Sequence, residues 1–146
     1  MDRSDIATYM WGRLGAMFTE VGIDNADTTG DLKEPIDDTF LALGVNYADL
    51  ASATAASSDV RAARSLAYYY GLISIRDAAL NRVDESKSNG APSVSLSRSR
   101  SQFVDNVNAA IDQAEKAATP YLPVADSWVE GSLETGTFLY DGTAYG

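Results

Sequence analysis

Two residue types are missing from this sequence altogether. It has no cysteine and no histidine, which excludes disulfides, thiolate nucleophiles, the usual zinc sites and histidine-based triads, and with them most common enzyme classes. Proline is scarce, at four residues, and bases are few, with eleven Lys and Arg against 21 Asp and Glu for a net charge of −10. No apolar run approaches the roughly 18 residues of a membrane span. The opening MDRSDIATYMW lacks a basic region followed by a long apolar core, so it does not read as a targeting segment. The expected setting is the cytosol, or a structure assembled from it, with no membrane partner.

What is present fits a globular chain. At 146 residues, 45% hydrophobic and 22% charged, one domain with a real core is expected. The charge is uneven. Residues 1 to 50 hold ten acids against Arg3, Arg13 and Lys33; residues 51 to 119 hold seven acids against eight bases; residues 120 to 146 hold four acids and no base. Duplex binding relies on clustered Lys and Arg neutralising phosphates, so specific recognition of nucleic acid is disfavoured.

The longest helix-compatible run is Ser57 to Val83. Ala62, Leu66, Tyr69, Ile73, Arg76, Leu80 and Val83 alternate at spacings of four and three, and Tyr68, Leu72, Ile75 and Ala79 form a second set on another side. A helix apolar on two sides is central in a bundle or lies at a subunit contact. Ser57 or Ser58 is its expected cap, with Asp59 near the helix N-terminus and Arg61 and Arg64 one turn in. Tyr68, Tyr69 and Tyr70 fan around it, so at least one hydroxyl should reach a surface.

Other helices precede and follow it. Ile6, Met10, Leu14, Met17 and Val21 predict a first helix from about Ser4, as N-cap, to Glu20. Gly12 and Gly15 weaken it by roughly 1 kcal/mol each relative to alanine, which implies dependence on packing or on a close neighbour. Gly22 to Asp31 is a turn. Its Asn25, Asp27, Thr29, Gly30 and Asp31 echo a calcium loop, but Ile36 stands where the bidentate glutamate belongs, so an acidic turn is the reading. Asp31 is the expected cap of a short helix through Leu32, Ile36, Phe40 and Leu43, with Pro35 in its first turn and Gly44 closing it.

After Val83 the chain turns polar, broken by Asn89-Gly90 and Pro92, with Val94 and Leu96 able to form a short strand or pin a loop. The Ser97-to-Ser101 arginine-serine run is a single short copy and is not read as an RNA tract. Ser99 and Gln102 have capping-box spacing, which places Arg98 and Arg100 where a helix dipole disfavours cations, as if facing an acidic partner. Phe103, Val107, Ile111 and Ala114 predict a last helix to about Ala118, ended by Pro120.

Beyond Pro120 all periodicity is lost. The segment carries four acids, no base, and aromatics at Trp128, Phe138, Tyr140 and Tyr145. A plain disordered tail is aromatic-poor, so the expectation is an extended arm ordered on a neighbour; the alternative is a frayed terminus. The expectation is thus an all-α protein: a small helical bundle with one long central helix over residues 1–119 and an extended C-terminal arm over 120–146. The candidate contact residues are Tyr68, Tyr69, Tyr70, Arg98, Arg100, Trp128, Phe138, Tyr140 and Tyr145.

Asp31-Leu32, Pro35-Ile36, Leu41 and Leu43-Gly44, then Ala48-Asp49-Leu50-Ala51 and a long helix with Arg61 to Tyr70, resemble the small head-to-tail connector (adaptor, or head-completion) proteins of tailed bacteriophages. The resemblance runs from about Asp31 to Ala118 and rests on apolar positions and turns. It implies a homo-oligomeric, commonly dodecameric ring beneath the portal, in the neck of a virion assembled in the host cytoplasm. A C-terminal arm reaching the portal, contact with the next tail or neck component, and passage of genomic DNA through the channel are implied with it. No catalytic residue, cofactor or metal is expected.

Two other readings stand beside it. An acidic helical regulatory or inhibitory protein would mask a basic nucleic-acid-binding surface, with Asp24 to Asp38 and Asp49 gathered on one face. An enzyme would use Asp37-Asp38 or Asp84-Glu85 to hold a metal, although adjacent acids on a helix or turn usually point apart into water.

Overall fold

A computed structural model describes residues 1–24, 30–88 and 94–123, with side chains described for 1–24, 30–81 and 100–123. Over these residues the fold is all-α. Helices α1 (Arg3–Val21), α2 (Lys33–Ala42), α3 (Val60–Ser88) and α4 (Val94–Ala118) are joined by 3-10 turns at Tyr47–Ser52 and Ser57–Asp59, and a third follows at Thr119–Tyr121. The one β-type pairing among them is an isolated bridge between Asp2 and Thr54.

The long helix is central: α1, α2 and α4 each pack chiefly on α3, and α1 and α2 touch each other much less. Four apolar stripes meet there. Ile6, Met10, Leu14 and Phe18 come from α1, Ile36 and Phe40 from α2, Leu66, Leu72 and Ile75 from α3, and Val107 with Ile111 from α4, all buried. Burial of such side chains contributes about 1.5–3 kcal/mol each, far more than any cap, so the three-four spacing governs which face of each helix turns inward.

The face that α3 turns inward differs from the expected seven-residue stripe. Along that stripe Ala62 and Leu66 are buried, Tyr69, Ile73 and Arg76 are half-buried, and Leu80 is 45% exposed. The core side is lined by Leu72, Ile75 and Ala79 of the second expected set, together with Ala63, Ala67 and Gly71, which neither set includes. Small residues decide this, because they let a neighbouring helix come close while adding little to a hydropathy pattern. At Gly71 a Cβ would stand 2.7 Å from Leu14 Cδ1 and 3.0 Å from Met10 Cε. The close approach expected at Gly12 or Gly15 is therefore made at Gly71. Gly12 faces open space, and a Cβ on Gly15 would meet only the ring of Trp11 on its own helix.

Helix ends depart from expectation for local electrostatic reasons. Asp2, not Ser4, caps α1: its carboxylate accepts from the Asp5 N–H at 2.9 Å, and Asp5 accepts from the Asp2 N–H at 2.9 Å. An ionised carboxylate is the stronger acceptor for exposed helix N–H groups, and it lies at the positive end of the dipole. Asp31 does not cap α2. Its carboxylate accepts instead from the Asp24 N–H at 3.1 Å, and α2 starts after Leu32 with no side-chain cap. Neither Ser57 nor Ser58 caps α3, which is entered through the Ser57–Asp59 3-10 turn and runs on to Ser88, past the expected end at Val83.

The start of α4 is the largest correction. Val94 and Leu96 are helical, neither strand nor loop, and Ser99 and Gln102 lie inside the helix, where backbone N–H groups already have partners. Arg98 and Arg100 are thus past the first turn and outside the strongest part of the dipole. At the other end α4 stops at Ala118, and Pro120 lies in the 3-10 turn that follows, as expected. Gly44, with φ of 92°, closes α2 in the left-handed region that glycine adopts without strain.

The chain start is pinned. The Met1 ammonium donates to the Ala55 carbonyl at 3.1 Å and the Ala55 N–H donates to the Met1 carbonyl at 2.8 Å. This ties the head of α1 to the connection that leads into α3.

Candidate functional site

Helix geometry separates the three tyrosines. At 3.6 residues per turn, Tyr68 and Tyr70 stand about 160° apart around α3, with Tyr69 about 100° from each. All three are half-buried. They therefore reach two different flanks of the bundle, one beside α1 and one beside α2.

On the α1 flank, arginine and tyrosine side chains interleave. The Arg13 guanidinium lies 5.1 Å from the Tyr68 ring centre and 5.9 Å from that of Tyr9, and Arg64 lies 5.5 Å from the Tyr9 ring. Arg13 Nη1 also donates to Tyr9 Oη at 3.3 Å. Tyr9 and Arg13 are four residues apart on α1, and Arg64 and Tyr68 four apart on α3, so each helix supplies one aromatic and one cation to a shared patch. Cation–π contacts at exposed sites contribute about 0.5–1 kcal/mol each and hold the guanidinium planes in place. Both arginines are exposed. Among the described residues, neither is within ion-pair distance of a carboxylate.

The α2 flank has the opposite character. The Tyr69 and Tyr70 ring centres are 5.2 Å apart and tilted by 58°. Burial pushes the Tyr70 phenol above its ordinary pKa, and the negative charge of Asp38 adds to the shift. Asp38 itself is raised, first by burial and then by the charges of Glu34 and Asp37. Tyr69 is raised by burial and by Glu115 on α4, with Arg76 opposing. Around Tyr70 the named charge is that of an acid, Asp38.

A third feature lies between α1, α2 and the first 3-10 turn. A cleft of about 230 Å³ is lined by Arg3, Lys33, Asp37, Tyr47, Ala48, Leu50 and Ala51. Arg3 donates to Asp37 at 2.6 Å and to the Leu50 carbonyl at 3.0 Å, and Lys33 donates to the other Asp37 oxygen at 2.5 Å. Burial raises the Asp37 pKa, but the hydrogen bonds and charges of Lys33 and Arg3 outweigh it and hold the carboxyl below its ordinary value. The two cations of this cleft share one carboxylate, Asp37, and Tyr47 at its mouth is 79% exposed. Because Asp37 is turned inward, the acids between Asp24 and Asp38 do not all gather on one outward face.

The remaining expected residues fall as follows. Arg100 is half-buried on α4. Arg98 lies on α4 but outside the described side chains, as do Asp84 and Glu85 on α3; Trp128, Phe138, Tyr140 and Tyr145 lie outside the described residues, and so does most of the calcium-like turn. Among the described residues no three acids converge as a metal site, and no helix is long and apolar enough to cross a membrane. Sequence reasoning missed Tyr9, Arg13 and Tyr47 as surface groups. The spacing of Tyr9 and Arg13 on the polar side of α1 was the available signal. Compared with known protein families, curated proteins and solved structures, the chain matches none.

Proposed function

We propose that this chain is a structural subunit that acts by binding: a head-to-tail adaptor of a tailed bacteriophage, forming a homo-oligomeric, dodecameric ring between the portal and the next neck or tail component. The observation that carries the reading is the pair of chemically distinct flanks on α3. Tyr68 with Arg13 and Arg64 stands on one side, and Tyr70 with Asp38 on the other. A subunit in a closed ring meets two neighbours through two different surfaces, and tyrosine and arginine are the residues enriched at protein contacts. The net charge of −10 suits a channel wall past which DNA moves without being held. The acidic, aromatic segment 120–146 is the proposed arm to the portal, and the place of action is the virion neck, after assembly in the host cytoplasm.

The test is a pull-down of the intact chain, and of a chain truncated after Tyr121, against purified portal complex, with imaging of whatever forms. Rings on the portal that disappear on truncation are the expected result. Failure of both chains to bind, together with tight capture of a basic nucleic-acid-binding protein, would replace this reading with that of an acidic inhibitor.

A further inference from the structure

We infer that subunits join head to tail through charge: the Tyr9–Arg13–Arg64–Tyr68 patch of one copy receives the Glu34–Asp38 edge of α2 from the next. The inference rests on the ring reading above and names the contact that closes it.

Its first support is that each surface lacks what the other offers. Arg13 and Arg64 are exposed and, among the described residues, lie within ion-pair distance of no carboxylate. Their guanidinium groups lie 5.1 to 5.9 Å from the ring centres of Tyr9 and Tyr68, with one Arg13 N–H donating to Tyr9 Oη, which leaves further N–H groups for bonds to carboxylates. Glu34 is exposed and Asp38 half-buried, four residues apart on one side of α2. The charges acting on Asp38 are those of Glu34 and Asp37, both negative. The nearest base on that helix, Lys33, is bonded to Asp37. A cation from outside would relieve this edge.

The second support is placement. Tyr68 and Tyr70 mark flanks about 160° apart on α3, with the cationic patch beside the first and Asp38 beside the second. Complementary surfaces on opposite flanks cannot satisfy one another within one subunit, and they cannot pair isologously across a single twofold contact. They link copies in a heterologous series, which closes into a ring when the rotation per subunit allows. The Arg3–Lys33–Asp37 cleft is not a rival contact on this ground, since both of its cations already bond to Asp37 within the subunit.

A charge swap tests this with full-length chains. One variant carries Arg13→Glu and Arg64→Glu, the other Glu34→Lys and Asp38→Lys, and circular dichroism checks that each remains helical. Association is read by sedimentation and cross-linking, alone and on purified portal complex. Each variant alone presents like charges at every contact and should associate at least about tenfold more weakly than the parent. An equimolar mixture should recover assembly with the two variants alternating, because the reversed patch of the first faces the reversed edge of the second and the native patch of the second faces the native edge of the first, and parental assembly should weaken as salt rises. If the Asp38 substitution unfolds the chain, the single pair Arg13→Glu and Glu34→Lys makes the same comparison. Single variants that form rings as the parent does, or variants that fail to rescue each other while the parent forms rings, overturn the pairing and leave the ring reading intact. A parent that stays monomeric both alone and on the portal overturns both. Arg13→Glu/Arg64→Glu chains that assemble normally yet no longer bind an acidic peptide would assign the patch to another partner and overturn the proposal.

Discussion

Arg3 and Asp37 meet at 2.6 Å inside the protein, tying the head of α1 to the middle of α2 across 34 residues of sequence. Their side chains are 7% and 13% exposed. Removing Asp37 takes the ion-pair carboxylate away from a buried guanidinium, whereas Lys33, about half in solvent, can relax away. Asp37→Ala should therefore destabilise the fold by about 3 kcal/mol, measured by urea denaturation, and Lys33→Ala by well under half of that. Because the Asp37 carboxyl is held below its ordinary 3.8, its contribution is complete above that pH and is lost as pH falls through the lower folded value. The Asp37→Ala deficit should shrink in strong acid; a pH-independent deficit would assign it to packing.

Two glycines should respond in opposite ways to side chains. A Cβ added at Gly12 would meet nothing within 4 Å, and the residue lies on an exposed helix surface, so Gly12→Ala should stabilise by about 0.5–1 kcal/mol through helix propensity and a less disordered unfolded chain. Gly71 lies against Leu14 and Met10. The first methyl can be absorbed by movement of those side-chain ends, but Gly71→Leu must force α1 from α3 and should cost at least about 1–3 kcal/mol. Thermal melts of Gly12→Ala, Gly12→Leu and Gly71→Leu give the ranking. Equal tolerance of leucine at both positions would contradict the close α1–α3 crossing.

The contrast shows which information the sequence carries openly. Large apolar side chains at three-four spacing announce themselves, so Ile6, Met10, Leu14, Val107 and Ile111 are assignable to core faces, and α3 is recognisable as central from its two-sided pattern. Small residues do not. Ala63, Ala67 and Gly71 look neutral in a hydropathy count, yet they set the tight face of α3, while the heptad pattern favours the Tyr69–Leu80 stripe in their place. The surface patch is only half visible. That Tyr68 to Tyr70 reach outward follows from their consecutive positions, but the gathering of Tyr9, Arg13 and Arg64 around Tyr68 depends on how α1 crosses α3, which no local pattern encodes.

Helix caps give a sharper local test, because two candidates compete at the start of α1. Asp2 and Asp5 form the reciprocal capping box, so Asp2→Ala should lower stability by about 1 kcal/mol. Ser4 is exposed in the first turn, so Ser4→Ala should leave stability within about 0.5 kcal/mol of the parent, as surface substitutions usually do. Denaturant midpoints for the two variants decide the matter; a larger loss at Ser4 would return the cap to that residue.

Asp38 titrates in the opposite sense to Asp37 and links stability to assembly. Burial, then the charges of Glu34 and Asp37, raise its carboxyl above the ordinary 3.8, so as pH falls the folded chain takes up this proton before the unfolded chain does. The ionised form therefore costs stability at neutral pH, and that cost fades as pH drops through the raised value and is gone below 3.8. Asp38→Asn should melt above the parent at neutral pH, with the advantage vanishing in acid, when melting temperature is followed across that range. The same substitution removes a charge from the edge proposed to meet Arg13 and Arg64 of the next copy, so it should strengthen the subunit while weakening the ring. A surface kept unfavourable in the isolated chain is what a site reserved for a partner requires. An Asp38→Asn chain that is more stable and assembles as well as the parent would separate the buried acid from any role in association.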